Sequence, residues 1–296
     1  MLVKTRKFTA KHSLLATIIM TGLIEIVFWI SPVNHLFPNN EDLADIVNRI
    51  IYTGLIILFI VFFMKNNLIE IGYSAKKLKE GLKTGGFISI TIFVFSVISM
   101  FINISKGTGH FMSTSAELTH FFLMFFLVVS VGLFEESAYR AVPVNILRNV
   151  KGLTERQYMF YCVMISSFLF GAVHLGNMVS GYDTPAQAIA RSLQAIGTGM
   201  IIAAIYWRSG SLLACIIFHI IWDSSLILNS LYIVDKSPAE GMAKTTSDII
   251  TIATGFILFC ILLCISLFLL RKKKCTGCNI EAITIREQLL NDEVTG

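Results

Sequence analysis

Eight apolar stretches, each about twenty residues long, alternate with short polar connections at about 13–30, 46–64, 86–104, 120–138, 157–175, 187–206, 211–231 and 248–270. A helix of that length spans a hydrocarbon core of about 30 Å. Only helices and closed barrels satisfy their backbone groups inside lipid. The pattern therefore predicts an all-α polytopic bundle of about eight transmembrane helices. The sixth stretch is the least apolar, because Arg191 and Gln194 interrupt it. The first follows "MLVKTRKFTAKHS", lacks a small-x-small cleavage pattern and carries Glu25, so it reads as a signal-anchor helix. Between the second and third, "KNNLIEIGYSAKKLKEGLKTGG" has apolar residues at helical spacing among lysines, the mark of an amphipathic segment lying on the membrane surface. "SPVNHLFPNNEDLAD" and "YIVDKSPAEGMAKTTSD" read as polar turns on the opposite side. With no internal repeat, residues 1–296 form a single membrane domain ending in a short tail at 271–296.

Composition agrees. The chain is 55% hydrophobic and 15% charged, with mean hydropathy +0.72, where soluble domains carry about 25% charged residues. Lys and Arg set the orientation. Seventeen fall in the N-terminal tail, the even-numbered connections and the C-terminal flank, against three (Lys106, Lys236, Lys244) in the alternate connections. The positive-inside rule then puts both termini in the cytoplasm of a multi-pass cell-membrane protein. This asymmetry accounts for the net charge of +5, so the expected partner is the anionic lipid surface and no nucleic acid is called for. Four of the six cysteines (Cys162, Cys215, Cys260, Cys264) lie inside spans, where they act as small hydrophobes. Cys275 and Cys278 form one isolated C-x-x-C, which is not enough to assign a metal site.

Ionisable residues inside a membrane are costly and mark functional positions. Glu25 and Arg49 are in the first half of the chain. Glu135, Glu136, Arg140, His174, Arg191, His219 and Asp223 all belong to spans four to seven. One polar intramembrane cavity among those helices accounts for the concentration. Glu136 and Arg140, four apart in "FEESAYR", share a helix face and form a structural ion pair. Glu135 is turned about 100° away, onto the face of Tyr139. His219 and Asp223 are also four apart, so the carboxylate can fix the imidazole tautomer. His174 closes "FGAVHLGN", where Gly171 and Gly176 allow close helix approach. If span five starts at Gln157, His174 is about 25 Å along it, beyond mid-bilayer. Meeting Glu135 then requires span five to begin below the surface or to tilt. Glu25, His12, His35, His110 and His120 have no partner at a telling spacing and receive no role.

A partly dry glutamate beside a histidine can take a proton from water for attack on a peptide carbonyl, with a second histidine stabilising the oxyanion. Glu135, His174 and His219 could instead hold zinc, leaving an open position for water. The residues alone leave both open.

"EESAYR" at 135–140, "FGAVH" at 170–174 and "HIIWD" at 219–223 follow one another on three separate spans. They resemble the E-E-x-x-x-R, F-x-x-x-H and H-x-x-x-N/D motifs of the CPBP family, the CAAX-protease and bacteriocin-processing (Abi-type) intramembrane peptidases. The resemblance covers about 120–230. It implies a bundle of about eight helices enclosing a polar cavity, with Glu135 activating water assisted by His174, and Glu136 held by Arg140. His219 and Asp223 take the oxyanion-stabilising or second polar position. Position 223 is Asp where eukaryotic-type CAAX proteases carry Asn, and an ionised Asp cannot donate to an oxyanion. Here Asp223 is expected to orient His219, to be protonated, or to favour a metal. No cofactor is obligatory on this reading, and zinc is possible; the family's annotation as metalloprotease is disputed. The expected activity is that of an intramembrane endopeptidase acting on a membrane-associated peptide or protein, in the prokaryotic branch. The alternative is a non-catalytic bacteriocin-immunity or peptide-binding protein on the same scaffold. An ion-coupled transporter would show paired halves with broken helices, and no such symmetry is visible in the sequence.

Overall fold

The computed structural model describes residues 12–64, 67–106, 109–147, 154–234 and 248–271. The Cys275/Cys278 pair and the basic residues of the N-terminal tail lie outside the described residues. Helices start where a side chain can answer the free N–H groups of the first turn. Asn40 caps α2 (Glu41–Leu58), which runs into a wide turn at Phe59–Phe63. Capping boxes at Thr114/Glu117, Thr154/Gln157 and Thr184/Gln187 open α4 (Ser115–Glu136), α6 (Glu155–His174) and α8 (Pro185–Ser209). Ser211 caps α9 (Leu212–Trp222). The others are α1 (Ser13–Trp29), α3 (Ala75–Lys106), α5 (Val142–Leu147), α7 (Gly176–Val179), α10 (Ser224–Asn229) and α11 (Asp248–Leu270).

Six of these segments are long and apolar enough to cross a membrane, and α1 and α9 are shorter apolar helices. The protein is thus an all-α, multi-pass membrane bundle. Two expectations need correction. The lysine-rich stretch does not lie apart as a surface helix. From Ala75 it is the first part of α3, whose 32 residues extend about 48 Å and so overrun the bilayer core. Expected span 211–231 is not one rod but α9 and α10, broken at Asp223 (φ −87°, ψ 5°). Eleven residues of α9 cover only about 16 Å. The connection after α3 and the one after α10 are joined by a small antiparallel ladder of β1 (Gly109–Phe111) and β2 (Tyr232–Val234).

The least apolar span proves to be the central one. Of the most apolar stretch of α8, 72% is buried against protein, against 17–33% for the other five long spans. A helix surrounded by helices need not be soluble in lipid, so it tolerates the half-buried Gln194, whereas Arg191 near its start is exposed and paired with Asp183. Its closest neighbours are α11 and α6, and glycines permit the approach. A Cβ on Gly255 would stand 2.6 Å from Ala190, one on Gly197 2.8 Å from Leu262, and one on Gly171 2.2 Å from Ile196. Gly176, by contrast, has only Trp29 in ordinary contact at 3.9 Å. On the side of the α8–α9 turn, Gly72 (φ +105°) presses its backbone against Gly210 and Leu212, and Leu212 N–H donates to the Gly72 carbonyl at 3.2 Å.

Gly171→Ala is expected to lower stability by roughly 1–3 kcal/mol through overpacking, read as a lower melting temperature in detergent. Gly86→Ala, where nothing lies within 4 Å, should not. Equal melting of the two variants would contradict the α6–α8 packing.

Candidate active site

Glu135 and Glu136 are the last two residues of α4, and Ser137–Ala141 follow in a π-helical turn before α5 continues the same span. Such widened turns recur at functional sites, because one inserted residue frees main-chain groups and re-aims side chains. Here the freed carbonyls are met by side chains. Ser166 Oγ donates to the Tyr139 carbonyl, and Asn145 Nδ2 donates to the Ala141 carbonyl at 2.6 Å. Ser137 Oγ donates back to the Leu133 carbonyl at 2.7 Å and lies 3.3 Å from the Tyr73 hydroxyl.

The polar cluster is built around His219. Its Nδ1 lies 2.8 Å from Glu136 Oε1. Its Nε2 lies 3.3 Å from Glu135 Oε2 and 3.5 Å from Asp223 Oδ2. Arg140 Nε approaches Glu136 Oε2 at 3.3 Å, and both side chains have no exposed surface. No guanidinium nitrogen of Arg140 makes a hydrogen bond. Its plane rests instead over the Phe170 ring, 4.7 Å from the centroid, a contact worth up to about 2 kcal/mol when desolvated. The Glu136–Arg140 pair is therefore present as expected, but Glu136 does more than balance a charge. It reaches His219 from another span and fixes the ring, a part expected of Asp223. Since Glu136 accepts at Nδ1, that nitrogen carries a proton. Both groups facing Nε2 are carboxyls.

Phe170 joins the two histidines. Its ring meets His174 edge-on at 4.8 Å between centroids, His219 at 6.0 Å and Tyr139 at 5.4 Å. His174 Nδ1 lies 2.8 Å from the Phe170 carbonyl. A carbonyl only accepts, so Nδ1 is the donor and Nε2 of the neutral ring keeps its lone pair. The depth of His174 also resolves. The Ser166–Tyr139 bond sets those two residues at one height. Glu135 is then about 6 Å above that level and His174 about 12 Å, toward the same side. Starting α6 at Glu155 and running α4 through α5 to Leu147 brings the pair within about 6 Å in height. Glu135 meets His219 directly, not His174. Among the described residues, no three His, Cys, Asp or Glu side chains are grouped to hold a metal ion.

Burial grades the cluster. Glu136 and Arg140 are closed off, whereas Glu135 keeps 20% and Asp223 26% of its side-chain surface. Glu135 and Asp223 are thus the partly exposed members of an otherwise closed cluster. Arg191 is outside it. This residue grips Asp183 with two bonds of 2.7 and 3.0 Å, and Asn177 adds a third at 3.2 Å. The Arg191 pairing holds the Asp183 carboxyl below its ordinary range. The residue that sequence spacing missed is Glu25. It accepts the Tyr139 hydroxyl proton across 114 positions of chain and lies within electrostatic reach of Glu135. Its only advance signal was a charge inside an apolar run.

Residues 117–225 match the family described as type II CAAX prenyl endopeptidase Rce1-like. This agrees with the CPBP resemblance carried by the three motifs, and it supports a CAAX-type intramembrane endopeptidase in general terms. No curated protein and no solved structure matches the chain.

Arg140→Met strands the Glu136 carboxylate without its counter-charge and is expected to cost about 3–5 kcal/mol. Arg140→Met combined with Glu136→Met should cost less than the sum of the two single losses. Additive losses in detergent unfolding would show that the two side chains do not act as a pair.

Proposed function

Taking residues 117–225 as a segment of the CAAX-endopeptidase kind, we propose that the protein hydrolyses a peptide bond of a membrane-associated peptide or protein by water that Glu135 activates. The observation that carries this reading is the unequal burial of two adjacent acids. Glu136 is sealed between Arg140 and His219, while Glu135, one residue earlier, keeps an exposed edge.

Water bound at that edge gives its proton to Glu135, and its oxygen attacks the scissile carbonyl carbon. His174 supports the same step with the lone pair on Nε2, which its Nδ1–H bond to Phe170 keeps free. The carbonyl oxygen becomes an oxyanion and takes a hydrogen bond from His219 Nε2–H. At rest that N–H faces Glu135 and Asp223. Once Glu135 carries the proton from water it competes less for this donor, and the oxyanion can claim it. The C–N bond then breaks, and the proton on Glu135 passes to the leaving nitrogen. Asp223 faces the ring throughout. On this reading the departure from Asn fits: Asp223 acts on His219 and need not donate to the oxyanion itself. No step requires a metal. In this account both termini face the cytoplasm, following the positive charge of the connections, and the protein belongs to the prokaryotic branch.

Purified protein in nanodiscs, offered a fluorogenic peptide library, is expected to cleave a subset of sequences. Glu135→Gln should lower kcat/KM by about 10²- to 10⁴-fold, and His174→Ala should fall in the same range. Added chelator should leave wild-type activity unchanged. Equal activity of wild type and Glu135→Gln would overturn the peptidase reading and favour a peptide-binding role. Loss on chelation with rescue by zinc would replace the glutamate mechanism with a metal one.

A further inference from the structure

The N-terminal helix lies outside the 117–225 match, yet it touches the proposed machinery at two points. Glu25, half-buried on α1, accepts the hydroxyl proton of Tyr139. Tyr139 is 1% exposed, sits in the π-helical turn four residues after Glu135, and has a single proton to give. That bond aims it at Glu25 and away from Glu135. One turn later, Trp29 lies near Gly176, two residues beyond His174, where an added Cβ would stand 3.9 Å from its indole. The end of α1 therefore bridges the helices that carry Glu135 and His174.

The bridge is anchored. Phe28 stacks on Phe134, with 4.7 Å between centroids, directly before Glu135. The Asn48 amide donates to the Phe28 carbonyl at 3.4 Å and the Tyr52 hydroxyl to the Val27 carbonyl at 3.0 Å, so α2 braces α1 from behind. Arg49 stands over the Phe28 ring at 5.2 Å and is tied to Asp45 at 2.6 Å. Arg49, Trp29 and Glu135 are all within electrostatic reach of Glu25. A half-buried carboxylate so braced is expensive in a membrane helix, and packing alone does not call for it. Leucine would fill the same place.

We propose that Glu25, held by Tyr139, is a positioning residue for Glu135: the N-terminal helix fixes the acid's reacting edge relative to His174 through the Tyr139 bond and the Phe28–Phe134 stack. This rests on the peptidase reading for its chemistry, but the coupling of the two carboxyl groups is measurable without turnover. Glu25 gains no proton from the substrate and loses none to it. The Tyr139 bond and the Phe28 stack restrict which orientations Glu135 adopts.

The test uses the full-length protein in nanodiscs with a peptide that the wild type cleaves. Glu25→Gln and Tyr139→Phe are each expected to lower kcat by about 10- to 100-fold, with KM within about twofold. The double variant should be no worse than the poorer single, as for two groups acting in one unit. Tyr139→Phe keeps the ring on Phe170, so the fold should persist with at most a small drop in melting temperature from the lost Glu25 bond. Glu25→Asp should recover part of the rate lost in Glu25→Gln. In infrared spectra, the carboxyl band removed by Glu25→Gln should shift in both Tyr139→Phe and Glu135→Gln. Unchanged kcat in either single variant, additive losses, or a Glu25 band indifferent to Glu135→Gln would each overturn the inference. Wild type no more active than Glu135→Gln would defeat the peptidase reading instead, and the infrared arm would still decide the coupling.

Discussion

A guanidinium with no exposed surface, in the middle of a lipid-spanning bundle, must be answered entirely from within the protein. Arg140 finds no hydrogen bond there. It has one carboxylate at 3.3 Å and the face of one aromatic ring. Each partner passes the constraint on. Glu136, held against Arg140, presents its other oxygen to His219 and turns that ring so that Nε2 meets Glu135 and Asp223. Phe170, lying under the guanidinium, carries His174 on its edge and on its carbonyl. One buried charge thus sets the direction of both histidines, from two different spans, and leaves Glu135 as the acid that is not committed to it.

The bundle makes room for this cluster by packing tightly elsewhere. Glycines bring α6 and α11 against α8, so the central helix is held by protein on most sides. Around the acids the backbone departs from regularity instead. α4 widens into a π-helical turn directly after Glu136, and α9 stops at Asp223. Both interruptions fall at the cluster. A continuous helix through either point would bury its polar groups against neighbours. The break at Asp223 leaves that carboxylate partly exposed, near His219 and Glu135.

Much of this was legible in the chain. Runs of about twenty apolar residues gave the spans, and i,i+4 spacing gave the Glu136–Arg140 pair, since both signals are local. What escaped was of two kinds. Backbone interruptions at 137–141 and 223 were invisible because the apolar pattern runs through them; hydropathy averages over a window and cannot register one extra residue in a turn. Contacts between distant helices were equally hidden. Glu136 with His219 and Glu25 with Tyr139 join different spans, and no spacing rule links positions 83 or 114 apart. Glu25 was set aside for want of a neighbour at helical spacing, although a lone carboxylate in a membrane helix is itself a sign of a partner elsewhere. Phe170 was quoted in its motif without a role, because an aromatic residue in an apolar run looks like lipid-facing bulk until its neighbours are known.

The central claim is that Glu136 orients His219 while Glu135 stays available. Nitrogen-15 NMR of histidine-labelled protein in nanodiscs tests it most directly, with the His219 ring identified through a His219→Gln sample. The account predicts a proton on Nδ1 of His219 in the wild type, and a changed Nδ1 resonance in Glu136→Gln. An unprotonated Nδ1 in the wild type, or a His219 spectrum indifferent to Glu136→Gln, would contradict it.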